Sequence, residues 1–328
     1  MGNIEGKNKL LHYGRKLFPY ILGIVILLYL INVVSLERFV DSLSRGRYDY
    51  FIPASIVFFF IVFLVDVLGT KLLIDKSVIY TSFNEMLIVK SISGLIGFLN
   101  QAIGQMSIGY YYHKKSGLPF FYVGGALLLL LFIDIVSLTI ALGLSIKKEV
   151  IGVASFVPYL IMGLMMVIPV YLVVRFSIMW LFKNDKLRVS SLLMSNKIGQ
   201  LLGALILIPF PDLITILIVR IPRIFLKAFY MVMALWFFNI KVPYSEGISL
   251  VILSLFIGAI PITPSGLGTF QGMSLILLER YGEKADILAS TFASNMVFIL
   301  GQVIMGLYYL NKGLFLLGDI KKQAEVSK

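Results

Sequence analysis

Long apolar runs recur along the chain and set its architecture. Five of them are long enough to cross the hydrocarbon core of a bilayer as a helix, which takes about 20 residues. These runs are 18–36, 51–69, 118–146, 150–174 and 287–310. Segment 224–240 predicts a further span, and 198–219 predicts a kinked or re-entrant segment because Pro209, Pro211 and Asp212 interrupt it.

The apolar run 247–278 is too long for one crossing. It holds 32 residues without a charge, which as one helix would be about 48 Å long, against a hydrocarbon core of about 30 Å. Two prolines and two glycines fall at 261–268. The pattern therefore predicts two half-helices joined by a non-helical tip, in a re-entrant region at 247–281.

Region 86–112 predicts a second re-entrant element. It is apolar in its first half and polar in its second, where Asn100, Gln101 and Gln105 stand. If it enters and leaves on the cytoplasmic side, residues 1–17, the basic central loop from Arg175 to Lys197 and the tail 312–328 all become cytoplasmic, as the positive-inside rule favours. The two hairpins would then have inverted orientation, with their tips near the midplane.

Composition agrees with a membrane protein. Apolar residues make up 59% of the chain and charged residues only 14%, with a mean hydropathy of +0.94. We expect the run at 18–36 to be an uncleaved signal anchor. The net charge of +12 is explained by cytoplasmic loops facing anionic headgroups, so no nucleic-acid partner is expected. The pattern as a whole predicts an all-α, polytopic membrane bundle of about 6–8 spans in one domain, 1–328.

Several classes of chemistry lack their residues. The chain has no cysteine and only two histidines, which excludes thiolate nucleophiles and argues against metal or Ser-His-Asp sites. No nucleotide-binding or H-E-x-x-H motif is present. We expect no catalytic residues, no metal and no cofactor. An intramembrane lipid transferase is the least favoured alternative, because few titratable residues lie in the apolar runs.

Two carboxylates do lie in apolar runs, where ionised groups are costly. Asp134 is near the centre of its run and is a candidate titratable contact for a substrate. Asp66 is near the end of its run and close to Lys71, so we expect it to reach the interface. Lys90 is either an inward-facing partner or a side chain that extends to the headgroups, and the second is favoured.

Polar residues near the two breaks are candidates for a substrate path. The alternative for each of them is an ordinary hydrogen bond between helices. The N-terminus of the half-helix that starts near Thr269 would favour an anionic group such as a phosphate. The candidate path comprises Asn100, Gln101, Gln105, Asp134, Pro261, Thr263, Pro264, Ser265, Gly266, Gly268, Thr269, Gln271 and Asn295.

The break at 259–271 reads A-I-P-I-T-P-S-G-L-G-T-F-Q. This closely resembles the signature of the lysylphosphatidylglycerol synthase transmembrane-region family, the flippase-like domain proteins, which is approximately P-x-T-P-G-G-L-G-x-x-E. The resemblance covers nearly the whole chain in length and span order, although only this motif is specific. It implies a function in moving lipids between leaflets. The aminoacyltransferase domain of some members is expected to be missing, since no soluble domain follows Leu310.

The chain departs from the family pattern by carrying neutral or small residues at its matched positions. Ser265 replaces a glycine, and Gln271 and Gln105 stand where acidic residues are usual. Ala102 falls at an arginine position, and Asn295 lies near where an arginine is often found. These exchanges imply either a different lipid or the loss of a coupling charge.

These observations predict a lipid flippase or transporter for a phospholipid or isoprenoid-type lipid, including polyprenyl phosphates. We expect it in the cytoplasmic membrane of a bacterium or archaeon, with its N-terminus in the cytoplasm. The alternative is a non-catalytic scaffold or accessory subunit for an envelope glycosyltransferase or lipid-modifying enzyme. The lipid, the direction of movement, the energy source and the oligomeric state are left open.

Overall fold

A computed structural model describes residues 20–145, 169, 171–173, 175–177, 196–259, 263 and 266–326. In this part of the chain the structure has helices and no strand. The helices are α1 (Tyr20–Val34), α2 (Leu36–Ser44), α3 (Tyr48–Ser77), α4 (Phe83–Leu99), α5 (Gln101–Ser116), α6 (Phe120–Ser145), α7 (Lys197–Leu207), α8 (Phe210–Phe237), α9 (Tyr244–Ala259), α10 (Thr269–Leu278) and α11 (Lys284–Val326).

The prediction of an all-α, polytopic membrane protein is confirmed. Among the described residues, α3, α6 and the part of α11 up to Leu316 are long and apolar enough to cross a membrane. The bent pairs α1–α2 and α7–α8 bring the number to five if each pair is one span. The larger predicted number of spans stays a prediction, because the run at 150–174 lies almost wholly outside the described residues.

The first correction concerns 36–50. The sequence pattern predicts a loop on the outer side of the membrane there, between the apolar runs 18–36 and 51–69. The structure forms a helix there instead, at 88° to α1. Ser35, with a positive φ of 73°, ends α1, and its side chain accepts a hydrogen bond from Arg38 N at the start of α2. The apolar residues of α2 are spaced by three and four positions, so it is amphipathic rather than uniformly apolar.

The second correction concerns the segments 198–219 and 224–240. The predicted kink exists, because α7 and α8 meet at an angle of 80° just before Phe210. The predicted separation at 220–223 is wrong, since α8 continues through Arg220, Pro222 and Arg223. In the sequence, the two arginines and the proline resemble a loop. In the structure, both arginines form ion pairs inside the bundle, so the helix continues.

Arg175 is not part of an exposed basic loop. It is buried, and its guanidinium donates hydrogen bonds to the backbone carbonyls of Leu205, at 3.4 Å, and Ile208. Tyr171 donates to the same Leu205 carbonyl at 2.8 Å. A helix that ends before a proline leaves carbonyls without intrahelical donors, and here two side chains supply those donors.

Region 86–112 folds back on itself as an α4–α5 hairpin whose tip is Asn100. Asn100 breaks the helix with an extended backbone and then caps α5, because its side chain accepts a hydrogen bond from Ile103 N at 3.1 Å. The two legs touch near the tip, where Ser93 Oγ donates to Gly104 O at 2.7 Å. At the base, Lys115 pairs with Glu85 at 2.6 Å. The hairpin is therefore observed, while its entry from the cytoplasmic side stays a prediction.

Region 247–281 also folds back on itself. The tip is tight, because a Cβ atom on Gly266 would lie 2.6 Å from Gly258 O, and Gly266 has a φ of +69° that favours glycine. The base is closed by Arg280, which pairs with Glu246 at 3.2 Å. The break in the 32-residue run is thus where the sequence placed it. Pro261, Pro264 and Ser265 lie outside the described residues.

The described residues divide into two units. The first contains 20–55, 145 and 228–297, and the second contains 56–144, the described residues of 169–227, and 298–326. In the first unit, the rings of Tyr48 and Phe51 pack edge-to-face against Phe238, and the hydroxyls of Ser55 and Tyr230 are 2.8 Å apart. The second unit has an apolar core built from α3, α6, α7 and α8, with members Leu73, Tyr122, Ala126, Leu129, Leu130, Ile133, Ala204, Ile208, Leu213 and Ile216.

The α4–α5 crossing generates a test of the fold. A Cβ atom on Gly104 would lie 2.6 Å from Ser93 O and 2.7 Å from Gly97 Cα, both of them backbone atoms that cannot move alone. We expect Gly104→Ala to destabilise the protein by about 2 kcal/mol, the usual cost of an added methyl group in a packed interior. The measurement is the midpoint of thermal unfolding in detergent, followed by circular dichroism.

The matched control is Gly97→Ala, which adds the same methyl group to the opposing glycine. Its Cβ atom would lie 4.0 Å from Gly104 Cα, an ordinary contact distance. Because alanine also favours the helix, this variant should unfold at or above the wild-type midpoint. Equal midpoints for the two variants would contradict the packing described here.

Candidate functional site

A buried network of charged side chains joins four helices of the second unit. It contains Asp66 from α3, Lys90 from α4, Asp134 from α6, and Arg220 and Arg223 from α8. Each residue lies well inside its helix; Asp66, for example, is 11 residues before the end of α3. A set of charges at this depth of an apolar bundle is costly unless the charges pair with one another.

The two carboxylates share the two arginines. Asp66 accepts from Arg223 Nη1 at 2.8 Å, from Lys90 Nζ at 3.0 Å and from Arg220. Asp134 accepts from Arg223 Nη2 at 2.8 Å and lies 3.3 Å from Arg220 Nη1. Arg223 therefore bridges both acids with its two terminal nitrogens, which the planar guanidinium holds in a fixed geometry.

Arg220 occupies the closed side of the network. Its side chain is 1% exposed, and Nη2 donates to Thr70 Oγ1 at 3.0 Å. It packs against Gly69, where a Cβ atom would lie 2.6 Å from Arg220 Nε. Glycine at 69 therefore provides the space in which the guanidinium reaches both carboxylates.

The other side of the network is more open. Arg223 is 24% exposed and Asp134 is 27% exposed. Lys227 follows Arg223 by one turn on the same face of α8. Its ammonium lies 5.3 Å from the centroid of the Phe298 ring, and within the described ranges it forms no ion pair with a carboxylate. A cation–π contact of this kind stabilises a buried ammonium only partly.

This geometry corrects the expectation for Asp66. It does not reach the interface beside Lys71, because α3 extends to Ser77 and Lys71 pairs with Asp75 instead. Lys90 is an inward-facing partner, contrary to the favoured alternative. Asp134 lies near the middle of its helix as expected, and its predicted contact with a substrate stays a prediction.

The sequence pattern alone did not identify Arg220, Arg223 or Lys227 as candidate site residues. A signal was nevertheless present. Two acids deep in apolar runs require buried cations, and positions 220, 223 and 227 share one face of a helix with i, i+3, i+7 spacing. The proline at 222 concealed this by suggesting a boundary.

The break between α4 and α5 contains three of the candidate path residues, and the side chains of Asn100 and Gln105 form no hydrogen bond with each other. Asn100 uses its side chain to cap α5, which is a structural role. Gln105 is half-buried on α5. Gln101 begins α5. Their predicted role in a substrate path is left as a prediction.

The second break is more ordered around Gln271. This residue is fully buried, and its Oε1 accepts a hydrogen bond from Gly268 N at 2.7 Å, which caps α10. Gly268 has a φ of +88°. Among the described residues, Gln271 Nε2 has no hydrogen-bond partner. The amide stands where the resemblance implies a carboxylate, caps α10 through its oxygen, and leaves its NH2 group unpaired.

The other described candidates of the first unit lie at the second break and on α11. The hydroxyls of Thr263 and Thr269 are 3.2 Å apart, and Asn295 on α11 is buried. The two breaks belong to different units, so the predicted meeting of their tips stays a prediction. Within the described part of the chain, no three Asp, Glu or His side chains form a group able to hold a metal ion.

The network predicts a large stability loss when its central acid is removed. Asp66→Asn leaves Lys90, Arg220 and Arg223 with one carboxylate among them, and we expect a loss of about 3 kcal/mol. The control is Asp41→Asn, which breaks the Asp41–Arg45 pair whose side chains are 57% exposed; this should cost about 0.5 kcal/mol or less. Unfolding by a denaturing detergent measures both, and equal losses would show that the Asp66 network is not a buried one.

Comparison with known proteins identifies the family of this chain. The family described as the lysylphosphatidylglycerol synthase TM region matches residues 17–306, which is most of the chain. No curated protein and no solved structure gives a significant match. The match indicates a function related to membrane lipids and confirms the resemblance at 259–271. The chain is an integral membrane protein that belongs to the lysylphosphatidylglycerol synthase transmembrane-region family.

Proposed function

We propose that this protein moves a phospholipid or isoprenoid-type lipid between the leaflets of the cytoplasmic membrane. The observation that carries the proposal is the buried charge network of Asp66, Lys90, Asp134, Arg220 and Arg223. Five ionised side chains at mid-helix depth give no general gain in stability, because apolar side chains of similar volume usually stabilise a bundle at least as well.

The network fits the main physical problem of lipid transport. A polar headgroup that crosses the hydrocarbon core loses its water, at a cost of several kcal/mol for each unpaired polar group. Side chains that already hold charge inside the bundle can replace that water. Arg223 and Asp134 are suited to this, because they are the more exposed members of the network and offer both donors and acceptors.

Two further features support the proposal. Both helical hairpins, α4–α5 and α9–α10, are interrupted by non-helical backbone. Backbone of this kind occurs at membrane depth only inside protein or beside a wet cavity. Broken helices of this type are also the usual site of substrate contact in transporters.

The test is a flipping assay in reconstituted vesicles. Purified protein is placed in vesicles that contain trace amounts of a fluorescently labelled phospholipid or polyprenyl phosphate. An impermeant reductant bleaches only the label in the outer leaflet. Wild-type protein should expose inner-leaflet label to bleaching. Arg223→Gln should slow this exposure roughly tenfold, because it removes charge-assisted hydrogen bonds worth about 1.5–3 kcal/mol.

The matched control is Arg45→Gln, an arginine of an exposed surface pair, which should flip lipid at the wild-type rate. Circular dichroism and size-exclusion profiles establish that both variants are folded. Folded wild-type protein that flips none of the labelled phospholipids or polyprenyl phosphates would overturn the proposal and favour the alternative role as an accessory subunit.

A further inference from the structure

The charges of the buried network do not balance. Counted with Lys227, four cations of the second unit (Lys90, Arg220, Arg223 and Lys227) face two carboxylates, Asp66 and Asp134. The excess is two positive charges, for the residues that the structure describes. An uncompensated charge inside an apolar bundle is destabilising, so an excess of this size calls for an anion.

Three other carboxylates of this unit form ion pairs elsewhere. Asp75 pairs with Lys71, Glu85 with Lys115 and Asp212 with Lys76. Each of these pairs contains its own lysine, and they supply no spare negative charge to the network.

We infer that the Arg223–Lys227 face of α8 binds the phosphate of an anionic headgroup, whether a phosphodiester or a phosphate monoester. The inference rests on the proposed function and names the substrate class for it. Phosphate is the anion that matches this pair of donors, since arginine presents a planar fork and lysine a point charge to its oxygens.

The structure shows why the anion sits at this end of the network. Of the four cations, Lys227 is the one without an ion pair to a described carboxylate, and it follows Arg223, which is 24% exposed, by one turn of α8. Arg223 also keeps a donor in reserve, because its buried Nε has no hydrogen-bond partner among the described residues. Arg220 carries a similar unpaired Nε, but Gly69 covers it.

The same charge count opposes a cationic headgroup. Lysyl-phosphatidylglycerol carries two ammonium groups against one phosphate, so it would raise the positive excess rather than cancel it. Binding of this kind needs carboxylates in excess, whereas both acids here are already shared between arginines. The site therefore favours anionic lipids without an aminoacyl group.

The experiment measures binding to the purified full chain in a neutral detergent, by native mass spectrometry with dioctanoyl lipids. The probes are phosphatidylglycerol and phosphatidic acid as anions, phosphatidylcholine as a zwitterion and lysyl-phosphatidylglycerol as a cation. Inorganic phosphate and glycerol 3-phosphate are the headgroup-only probes. We expect the two anionic lipids to bind at least tenfold tighter than phosphatidylcholine, and lysyl-phosphatidylglycerol to bind least.

Two variants should shift anion binding in opposite directions. Lys227→Gln should weaken phosphatidylglycerol binding roughly tenfold, the value of one charge-assisted hydrogen bond. Asp134→Asn should tighten it severalfold, because it removes a carboxylate that competes with the anion for Arg223. Lys284→Gln, at an exposed lysine paired with Glu279, is the matched control and should leave binding unchanged. A site that is merely structural would weaken with both network variants.

The outcomes separate this inference from the proposed function. Anionic lipid bound with the expected variant pattern supports the inference even if no flipping occurs, and the transport proposal then fails alone. Flipping with equal binding of all lipids, unaffected by Lys227→Gln, overturns the inference and leaves transport standing. Binding of inorganic phosphate as tight as that of the lipids would identify a soluble anion as the ligand and overturn the assignment to a lipid headgroup.

Discussion

Two aspartates that share two arginines in the middle of apolar helices are the constraint on which the second unit depends. Asp66 and Asp134 belong to different helices, and Arg220 and Arg223 tie both of them to α8. None of these groups tolerates an apolar environment alone. The four helices that carry the network can therefore pack only where the charges meet, which fixes their depth and rotation more strictly than apolar contacts do.

The hairpins follow from a different constraint, the need to satisfy backbone groups where a helix stops. At Asn100 a side-chain oxygen accepts from the first turn of α5, and at Gly268 the amide of Gln271 performs the equivalent task for α10. The bend before α8 uses Arg175 and Tyr171 to donate to freed carbonyls. In each case a polar side chain substitutes for the water that is missing inside a membrane.

Much of the fold could be predicted from the sequence because apolar run length and helix-breaking residues act locally. The break in the run 247–278, the turn at Asn100 and the kink before Phe210 all depend on neighbours in the chain. The network could not be read in the same way, because its members are separated by up to 157 positions and pair only after folding. Asp66 was misplaced for this reason: its nearest lysine in the chain, Lys71, is taken by Asp75.

Gly69 makes the two arginines of the network different from each other. The missing side chain of Gly69 leaves the space in which the Arg220 guanidinium contacts Thr70 and both acids. No comparable glycine packs against Arg223 among the described residues, and its side chain is partly exposed. Under the anion-binding inference, Asp134 holds Arg223 Nη2 while the site is empty, and a bound phosphate would take that place while Asp134 keeps its contact with Arg220. The positive charge of Arg223 would then be balanced before binding by Asp134 and after binding by the phosphate, so it is never unpaired inside the membrane.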